Sequence, residues 1–260
     1  MTAITPYQSN QELTLHPVKN DQFDIFINMI TESKGCGVFF TLFSKSIDFF
    51  ILESKSLSDR TIAFLDNTSQ SFKAASKILI FFKIKTVAAK LFSLEKDKIE
   101  LFELSEKEAV IKNVLDIAKN TFTLVSDLMV LTHFGMVCKL YQIGENYKKL
   151  LDASALSFAA FSSLIEIYQN VSKCLKFFEQ EPANQTSFEV KTFFEEQKIY
   201  EFLEAARNFI SFTVSLIAIN NSYLAFFVVP QGFVLGLSLI LIYLTFYNVY
   251  YQNSMSYSLS

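Results

Sequence analysis

The residue types that most often carry out chemistry are few in this chain and lie far apart. The two histidines are His16 and His133, and the three cysteines, Cys36, Cys138 and Cys174, form no CxxC pair. Metal sites need His, Cys or carboxylate ligands at short, regular spacings. An odd number of widely spaced cysteines fits no disulfide framework either, so we interpret these three as small buried hydrophobes. The sequence therefore predicts no metal and no other cofactor.

Four further residues or short patterns are better explained without catalysis. Gly35-Cys36-Gly37 lacks the spacing of a phosphate-binding loop, and no GxSxG motif surrounds a serine. Glu195 and Glu196 are neighbours on a predicted exposed helix, and His133 reads as an ordinary, satisfied helix residue. Asp127 is the one acid in an apolar stretch, where we expect it to act as a helix cap or as a lysine partner. We therefore predict that the protein is not an enzyme.

The composition indicates helices and an unusual amount of apolar surface. Hydrophobic residues make up 51% of the 260 residues and charged residues 19%, and there are only 6 Gly and 4 Pro to form turns. A typical soluble domain has about 25% charged residues. The net charge of −3 and the presence of only two arginines, Arg60 and Arg207, argue against nucleic-acid binding. We predict an all-α protein whose excess apolar surface is covered by a core, an oligomer or a bilayer.

The C-terminal fifth of the chain carries no charged residue. The run from Asn208 to Ser260 holds 53 residues without Asp, Glu, Lys, Arg or His, and 233–251 is apolar for 19 residues. About 20 such residues cross the hydrocarbon layer of a membrane. The preceding stretch, 209–229, is interrupted by two asparagines, and Pro230-Gln231-Gly232 closes it as a turn. We predict a transmembrane hairpin over 208–251 and a polar tail over 252–260; the alternative is a pair of buried helices in a soluble bundle.

The remainder of the chain predicts helices separated by polar breaks. Residues 1–20 form a polar tail or short edge element, and 21–178 form a helical region. Within that region we expect helices over 21–31 and 38–51 with a break at 32–37, and a helix from Arg60 to Phe92 capped by Ser58 or Asp59. A solvated turn over 95–108 precedes a long helix over 108–125 that continues or re-forms over 128–140, and small residues at 153–165 allow close helix packing. A linker at 179–187 leads to an acidic amphipathic helix at 188–207.

The segment 70–92 combines lysines with large apolar residues. Its five lysines give a charge of +5 without any acid, and Ile, Leu and Phe lie between them. A basic amphipathic helix of this kind can lie in the headgroup layer of a membrane. The same pattern also fits a helix packed on the protein core whose lysines form the solvated side. The sequence leaves both interpretations open.

The order of these segments resembles the peroxin-11 family of peroxisomal membrane-proliferation proteins. The likeness is closest in Ala206-Arg207-Asn208-Phe209, in 215–221, and in the Gly/Ser-bearing span 230–238. The family has more arginines and an early Gly-Arg signature, whereas Gly35-Cys36-Gly37 has no arginine nearby. Segment 70–92 lies where that family carries its membrane-inserting helix. The resemblance implies eight membrane-binding residues: Phe72, Lys73, Lys77, Ile78, Phe81, Phe82, Lys85 and Leu91.

The functional prediction is membrane remodelling without catalysis. The resemblance implies that the amphipathic helix inserts into one leaflet of a peroxisomal membrane, with anionic lipids and further copies of the chain as partners, and promotes elongation and division of the organelle. The alternative is a bacterial protein of a pathogen-containing vacuole membrane, anchored by the hairpin, whose helical region binds host proteins. A membrane-embedded enzyme or transporter is disfavoured because the predicted hairpin carries no charge that would bind a substrate.

Overall fold

A computed structural model describes residues 15–17, 33–54, 56–80, 84, 87–88, 105–137, 140, 144–179, 188–255 and 257–259. In this part of the chain the prediction of an all-α fold is confirmed, with six α-helices, one π-helical turn and one pair of three-residue strands. The helices are α1 (Ser33–Glu53), α2 (Asp59–Ile78), α3 (Glu106–Val137), α4 (Glu145–Glu179), α5 (Phe188–Ile219) and α6 (Gln231–Ser254). The π-helical turn, Asn220–Leu224, continues α5, and the strands are β1 (Leu15–Pro17) and β2 (Tyr257–Leu259).

Each helix packs against its neighbours in the chain, and α6 closes the arrangement by packing between α5 and α1. Helices α1 and α2 are antiparallel, as are α3 and α4, α4 and α5, and α5 and α6. The last turn of α1 meets the first turn of α6, where a side chain at Gly232 would lie 3.7 Å from Leu52. Strands β1 and β2 pair in antiparallel register, His16 opposite Ser258, and so join the two ends of the chain. This pairing agrees with the prediction of a short edge element within residues 1–20.

Two helix starts follow from their capping residues. Ser58 has extended backbone angles and its hydroxyl accepts a hydrogen bond from the Thr61 backbone N–H, so the prediction of a cap at this position is confirmed. At the start of α3, Glu108 accepts hydrogen bonds from both the backbone N–H and the hydroxyl of Ser105. Because the Glu108 backbone N–H in turn donates to the Ser105 hydroxyl, the pair is a capping box, which satisfies backbone donors that the first helical turn leaves free.

The predicted break at 32–37 is wrong over its described residues, 33–37, because α1 begins at Ser33 and includes both glycines. Glycine weakens a helix by about 1 kcal/mol but does not end one whose apolar periodicity continues. Gly37 also permits close packing, since a side chain there would lie 3.7 Å from Leu79. The predicted helix at 21–31 lies outside the described residues.

The helix predicted at 188–207 continues past Arg207. The acidic segment 188–207 and the start of the charge-free run form one continuous helix, α5. Likewise α3 runs without interruption from Glu106 to Val137, as the first of its two predicted alternatives required. Of the linker predicted at 179–187, Glu179 is the last residue of α4, and 180–187 lie outside the described residues.

Candidate membrane-spanning bundle and its buried polar layer

Three helical stretches in the described residues are long and apolar enough to cross a membrane: α4, the stretch Val190–Leu224, and α6. They fit an integral membrane protein. The predicted hairpin supplies the second and third. Sequence reasoning missed α4, because its uncharged part, 153–165, is only 13 residues long. The structure extends this helix to 35 residues and directs its flanking acids toward neighbouring helices.

The distribution of side chains in these helices is the reverse of that in a water-soluble bundle. On α5, Phe202 and Phe209 are 66% and 61% exposed, whereas Asn208 between them is 2% exposed. On α4, Phe161 and Leu164 are exposed and the two serines between them, Ser162 and Ser163, are buried. Large apolar side chains that face outward around buried polar ones are stabilised by lipid and not by water. The surface of the bundle therefore fits a bilayer.

Five polar side chains from α4, α5 and α6 meet inside the bundle, and we call this group the polar layer. A guanidinium nitrogen of Arg207 lies 2.7 Å from Glu204 and 3.5 Å from Glu166. Arg207 also donates to the side-chain oxygen of Asn208, and Asn248 donates to Glu204. Glu204, Asn208 and Asn248 are buried. Arg207 thus lies between two carboxylates within three packed helices, and its charge offsets one of the two negative charges.

Polar contacts continue along the bundle on both sides of this layer. Lys173 on α4 pairs with the buried Glu201 on α5 at 2.9 Å, and the amide of Gln169 donates to Asp116 on α3. Farther along the bundle, hydrogen bonds of serine and threonine hydroxyls join the helices in place of contacts between charged groups. Because each of these contacts joins two helices, they fix the register of α3, α4 and α5. The hydroxyl contacts are Thr123 with Ser162, Ser126 with the Ala155 carbonyl, and Ser163 with Ser211.

The two polar residues singled out on α3 have different outcomes. His133 is a satisfied helix residue, as predicted, because its Nδ1 lies 2.5 Å from a carboxylate oxygen of Asp152 on α4. Asp127 is 8% exposed in the middle of α3, so the prediction that it caps a helix is wrong. The alternative, a lysine partner for Asp127, stays a prediction.

The chain turns between α5 and α6 through asparagines. The Asn220 amide donates to the Phe227 carbonyl, and Asn221 both donates to the Val229 carbonyl and accepts from the Val229 N–H. Ala225 adopts a left-handed backbone conformation, with φ of 50°. The two asparagines therefore supply hydrogen bonds that a turn at the end of an apolar helix needs. The three residues that were predicted to form this turn belong instead to the start of the next helix. Pro230 is the N-cap residue of α6, and Gln231 and Gly232 lie in its first turn.

The structure describes four of the eight predicted membrane-binding residues. The ring of Phe72 packs on Phe40 and Phe43 of α1, with centroid distances of 5.9 and 5.7 Å. Lys77 lies over the Phe134 ring, and Ile78 is 51% exposed at the end of α2. Lipid binding by the eight residues stays a prediction. Phe81, Phe82, Lys85 and Leu91 lie outside the described residues.

The fourth described residue, Lys73, belongs to a polar cluster between α1 and α2. Its ammonium lies 2.9 Å from Asp48, and the Ser69 hydroxyl donates to the same carboxylate at 2.6 Å. Burial of Asp48 opposes its ionisation, but these hydrogen bonds and the positive charges of Lys73 and Lys45 outweigh it and lower its pKa. Burial lowers the pKa of Lys45, although the nearby Asp48 opposes this. The cluster holds α2 against α1.

The other candidates for chemistry are not gathered into a site. Glu195 is exposed and lies 3.8 Å from Lys198 one turn away, so it is part of a surface ion pair. Cys174 is buried on α4, as expected, Cys36 is partly exposed on α1, and Cys138 lies outside the described residues. In the parts of the chain that the structure describes, no group of three His, Cys, Asp or Glu side chains could hold a metal ion.

Comparisons with known protein families, with curated proteins and with solved structures find no match for this chain.

Proposed function

We propose that this protein is a non-enzymatic integral membrane protein that shapes or organises the bilayer in which it sits. The observation that carries the proposal is the reversed distribution of side chains, with the polar layer inside and aromatic residues such as Phe161 and Phe209 outside. The charges in the bundle interior are engaged with one another, as in Arg207 with Glu204 and Lys173 with Glu201. This pairing supports a structural role for them better than a role in binding a substrate.

Membrane remodelling is the action we propose for segment 70–92. Its described part carries an exposed apolar residue, Ile78, next to a lysine, and the rest of the segment adds three phenylalanines and three further lysines in the sequence. Apolar side chains among the acyl chains and lysines at the headgroups expand one leaflet, which favours curvature. The resemblance to the peroxin-11 family motivates the proposal of a peroxisome-like membrane, of anionic lipids and of self-association.

The test uses the full chain reconstituted into vesicles that contain anionic lipid, with vesicle shape read by electron microscopy. We expect the wild type to draw vesicles into tubules and the double variant Ile78→Glu with Phe82→Glu to leave them round. The control is Phe64→Glu, which places one glutamate on an exposed apolar site of α2 outside the segment. Round vesicles with fully inserted wild-type protein, or tubules with the double variant, would contradict the remodelling proposal.

A second candidate function is an anchored interaction protein of a pathogen-containing vacuole membrane. The observation that favours it is the engagement of Phe72 and Lys73 with α1, since contacts within the chain hold two of the proposed lipid-binding side chains. Such a protein needs its apolar helices for residence in the membrane and its remaining helices for host proteins. It predicts membrane insertion without tubules in the vesicle experiment.

A further inference from the structure

One face of the bundle, formed side by side by α4 and α5, is lined with exposed apolar side chains. On each helix they recur at steps of three and four residues or of seven, so they lie in one stripe along the helix. We call the two stripes together the α4–α5 face. Its exposed members are Phe161, Leu164, Tyr168, Val171, Leu175 and Phe178 on α4, and Ile199, Phe202, Phe209 and Leu216 on α5.

A groove of about 520 Å³ runs between the two stripes. Ala205 and Ala206 contribute small side chains to it, and larger ones, Phe202 and Phe209 on α5 and Leu175 on α4, surround them. The lining residues are apolar apart from Cys174. A groove that combines small and large apolar residues can accept side chains from a facing helix.

The exposed apolar stretch of α4 that includes its stripe is longer than a membrane is thick. Exposed apolar residues on α4 extend from Leu150 to Phe178, which is about 42 Å at 1.5 Å per residue. The hydrocarbon layer of a bilayer is about 30 Å thick. Beyond the level of Glu166, α4 also carries Lys173, Lys176 and Glu179, so this end of the bundle lies toward water. Lipid can therefore cover the part of the face near Phe161, but not the part near Leu175 and Phe178.

We propose that the α4–α5 face binds the same face of a second copy of this chain, a proposal that rests on the membrane location proposed above. Two copies inserted in the same orientation are related by a two-fold axis along the membrane normal. This symmetry places both the lipid-facing and the projecting parts of the two faces at matching depths. Another protein would need its own apolar stripe that crosses the membrane boundary at the same level.

The charge and the area of the face both suit a symmetric contact. Glu195 on the α5 stripe lies 3.8 Å from Lys198, whose ammonium lies 4.1 Å from the Phe178 ring, so the nearby charges are of opposite sign. The face therefore has little net charge to repel an identical one. Its ten side chains are 43–66% exposed. At roughly 80–100 Å² each, they supply about 800–1,000 Å² per copy, the size of a standard stable interface.

The experiment measures self-association of the full chain in lipid nanodiscs or bilayers by energy transfer between two fluorescent labels, at several protein-to-lipid ratios. We expect Leu175→Glu with Phe202→Glu to weaken association at least tenfold. Val114→Glu on α3 is the control, because it adds a charge at an apolar site that is 59% exposed outside this face, and it should leave association within twofold of the wild type.

Insertion is measured on the same samples by resistance to alkaline extraction, so the two proposals fail separately. Protein that is extracted contradicts the membrane location. Protein that inserts but stays monomeric at all ratios, or a double variant that associates as tightly as the wild type, overturns the interface; lipid is then the occupant of the groove. If the glutamate variants lose helicity, Leu175→Ala with Phe202→Ala tests the same contact, with an expected weakening of at least threefold.

Discussion

The side-chain amide of Asn248 on α6 donates a hydrogen bond to Glu204 on α5 across 3.1 Å. Both residues are buried, and 44 positions of sequence separate them. The contact joins the helix that has no charge to the last acidic turn of the helix before it. It therefore fixes the level at which α6 packs along α5, because sliding either helix by one turn would leave a buried carboxylate without this donor.

We expect Asn248→Leu to destabilise the bundle by about 1–3 kcal/mol, because Glu204 loses a donor while it stays buried. Unfolding in mixed micelles, followed by circular dichroism as the denaturing detergent fraction rises, measures the effect. Ser238→Ala is the matched control on α6, since the Ser238 hydroxyl donates to the Val234 carbonyl of its own helix. Equal stability of the two variants would show that the contact between α5 and α6 does not hold them together.

Arg207→Leu should destabilise the protein by about 3–5 kcal/mol, because Glu166 and Glu204 would then face each other without their shared cation. Adding Glu204→Gln should recover part of the loss, since it removes one of the two carboxylate charges. The same micelle unfolding experiment measures both variants. A double variant less stable than Arg207→Leu alone would contradict the compensation of charge within the polar layer.

The contact between Asp48 and Lys73 should hold α2 against α1. We expect Asp48→Asn to destabilise this helix pair by about 1 kcal/mol and to increase amide hydrogen exchange in α2. The folded-state pKa of Asp48 is lowered, so its ionised form stabilises the fold above the ordinary value of 3.8, and this contribution is lost as the pH falls through the lowered pKa. Asp66→Asn, on α2 itself, is the control. Unchanged exchange in Asp48→Asn would exclude a holding role for the contact.

The helical class and the two C-terminal apolar stretches were predictable because each depends on local patterns. The charge-free run from Asn208 to Ser260 and the scarcity of glycine and proline are visible without any tertiary contact. Ser58 was identified as a possible cap for the same reason. The Ser105 capping box has an equally local signal, a serine three residues before a glutamate, and sequence reasoning did not use it.

The polar layer could not be predicted because its members come from three helices. Glu166 and Asn248 are 82 positions apart in the sequence. A glutamate within an apolar helix argues against a membrane span as long as its arginine partner is not known. The weak signals that existed were Arg207, one of only two arginines, at the border of the charge-free run, and Asn248 inside an apolar span. A polar residue inside a membrane is energetically costly without a partner. A contact between each of these two residues and another polar side chain was therefore the prediction to make.

Ala225 should be a site where glycine stabilises the fold. Its φ of 50° lies in the left-handed region, where a β-carbon is unfavourable and glycine is not. We expect Ala225→Gly to raise stability by up to about 1 kcal/mol and Ala225→Val to lower it by at least as much, measured by the same unfolding in micelles. Ala218, on the helical part of α5, is the control position, where glycine should be destabilising. Destabilisation of the same size at both positions would contradict the backbone conformation.

Glu108 should make the stability of the start of α3 depend on pH. The backbone N–H of Ser105, the ammonium of Lys176 at 3.0 Å and the Ser105 hydroxyl lower the pKa of Glu108 to about 2, from an ordinary value of 4.5. A group with a lowered folded-state pKa stabilises the fold fully above its unfolded value. This contribution of Glu108 is therefore present above pH 4.5 and is lost as the pH falls toward 2.

The measurement compares the midpoint of thermal unfolding of the wild type with that of Glu108→Gln at several pH values from 6 to 2. Glutamine can still accept a hydrogen bond from Ser105 but carries no charge for Lys176, so we expect the wild type to be more stable at pH 6 and the difference to shrink toward pH 2. All other carboxylates are common to both proteins and cancel. Glu179→Gln, at the exposed end of α4, is the matched control, because it removes a carboxylate outside the start of α3. A difference that is the same at pH 6 and pH 2 would mean that the charge of Glu108 does not stabilise the start of α3.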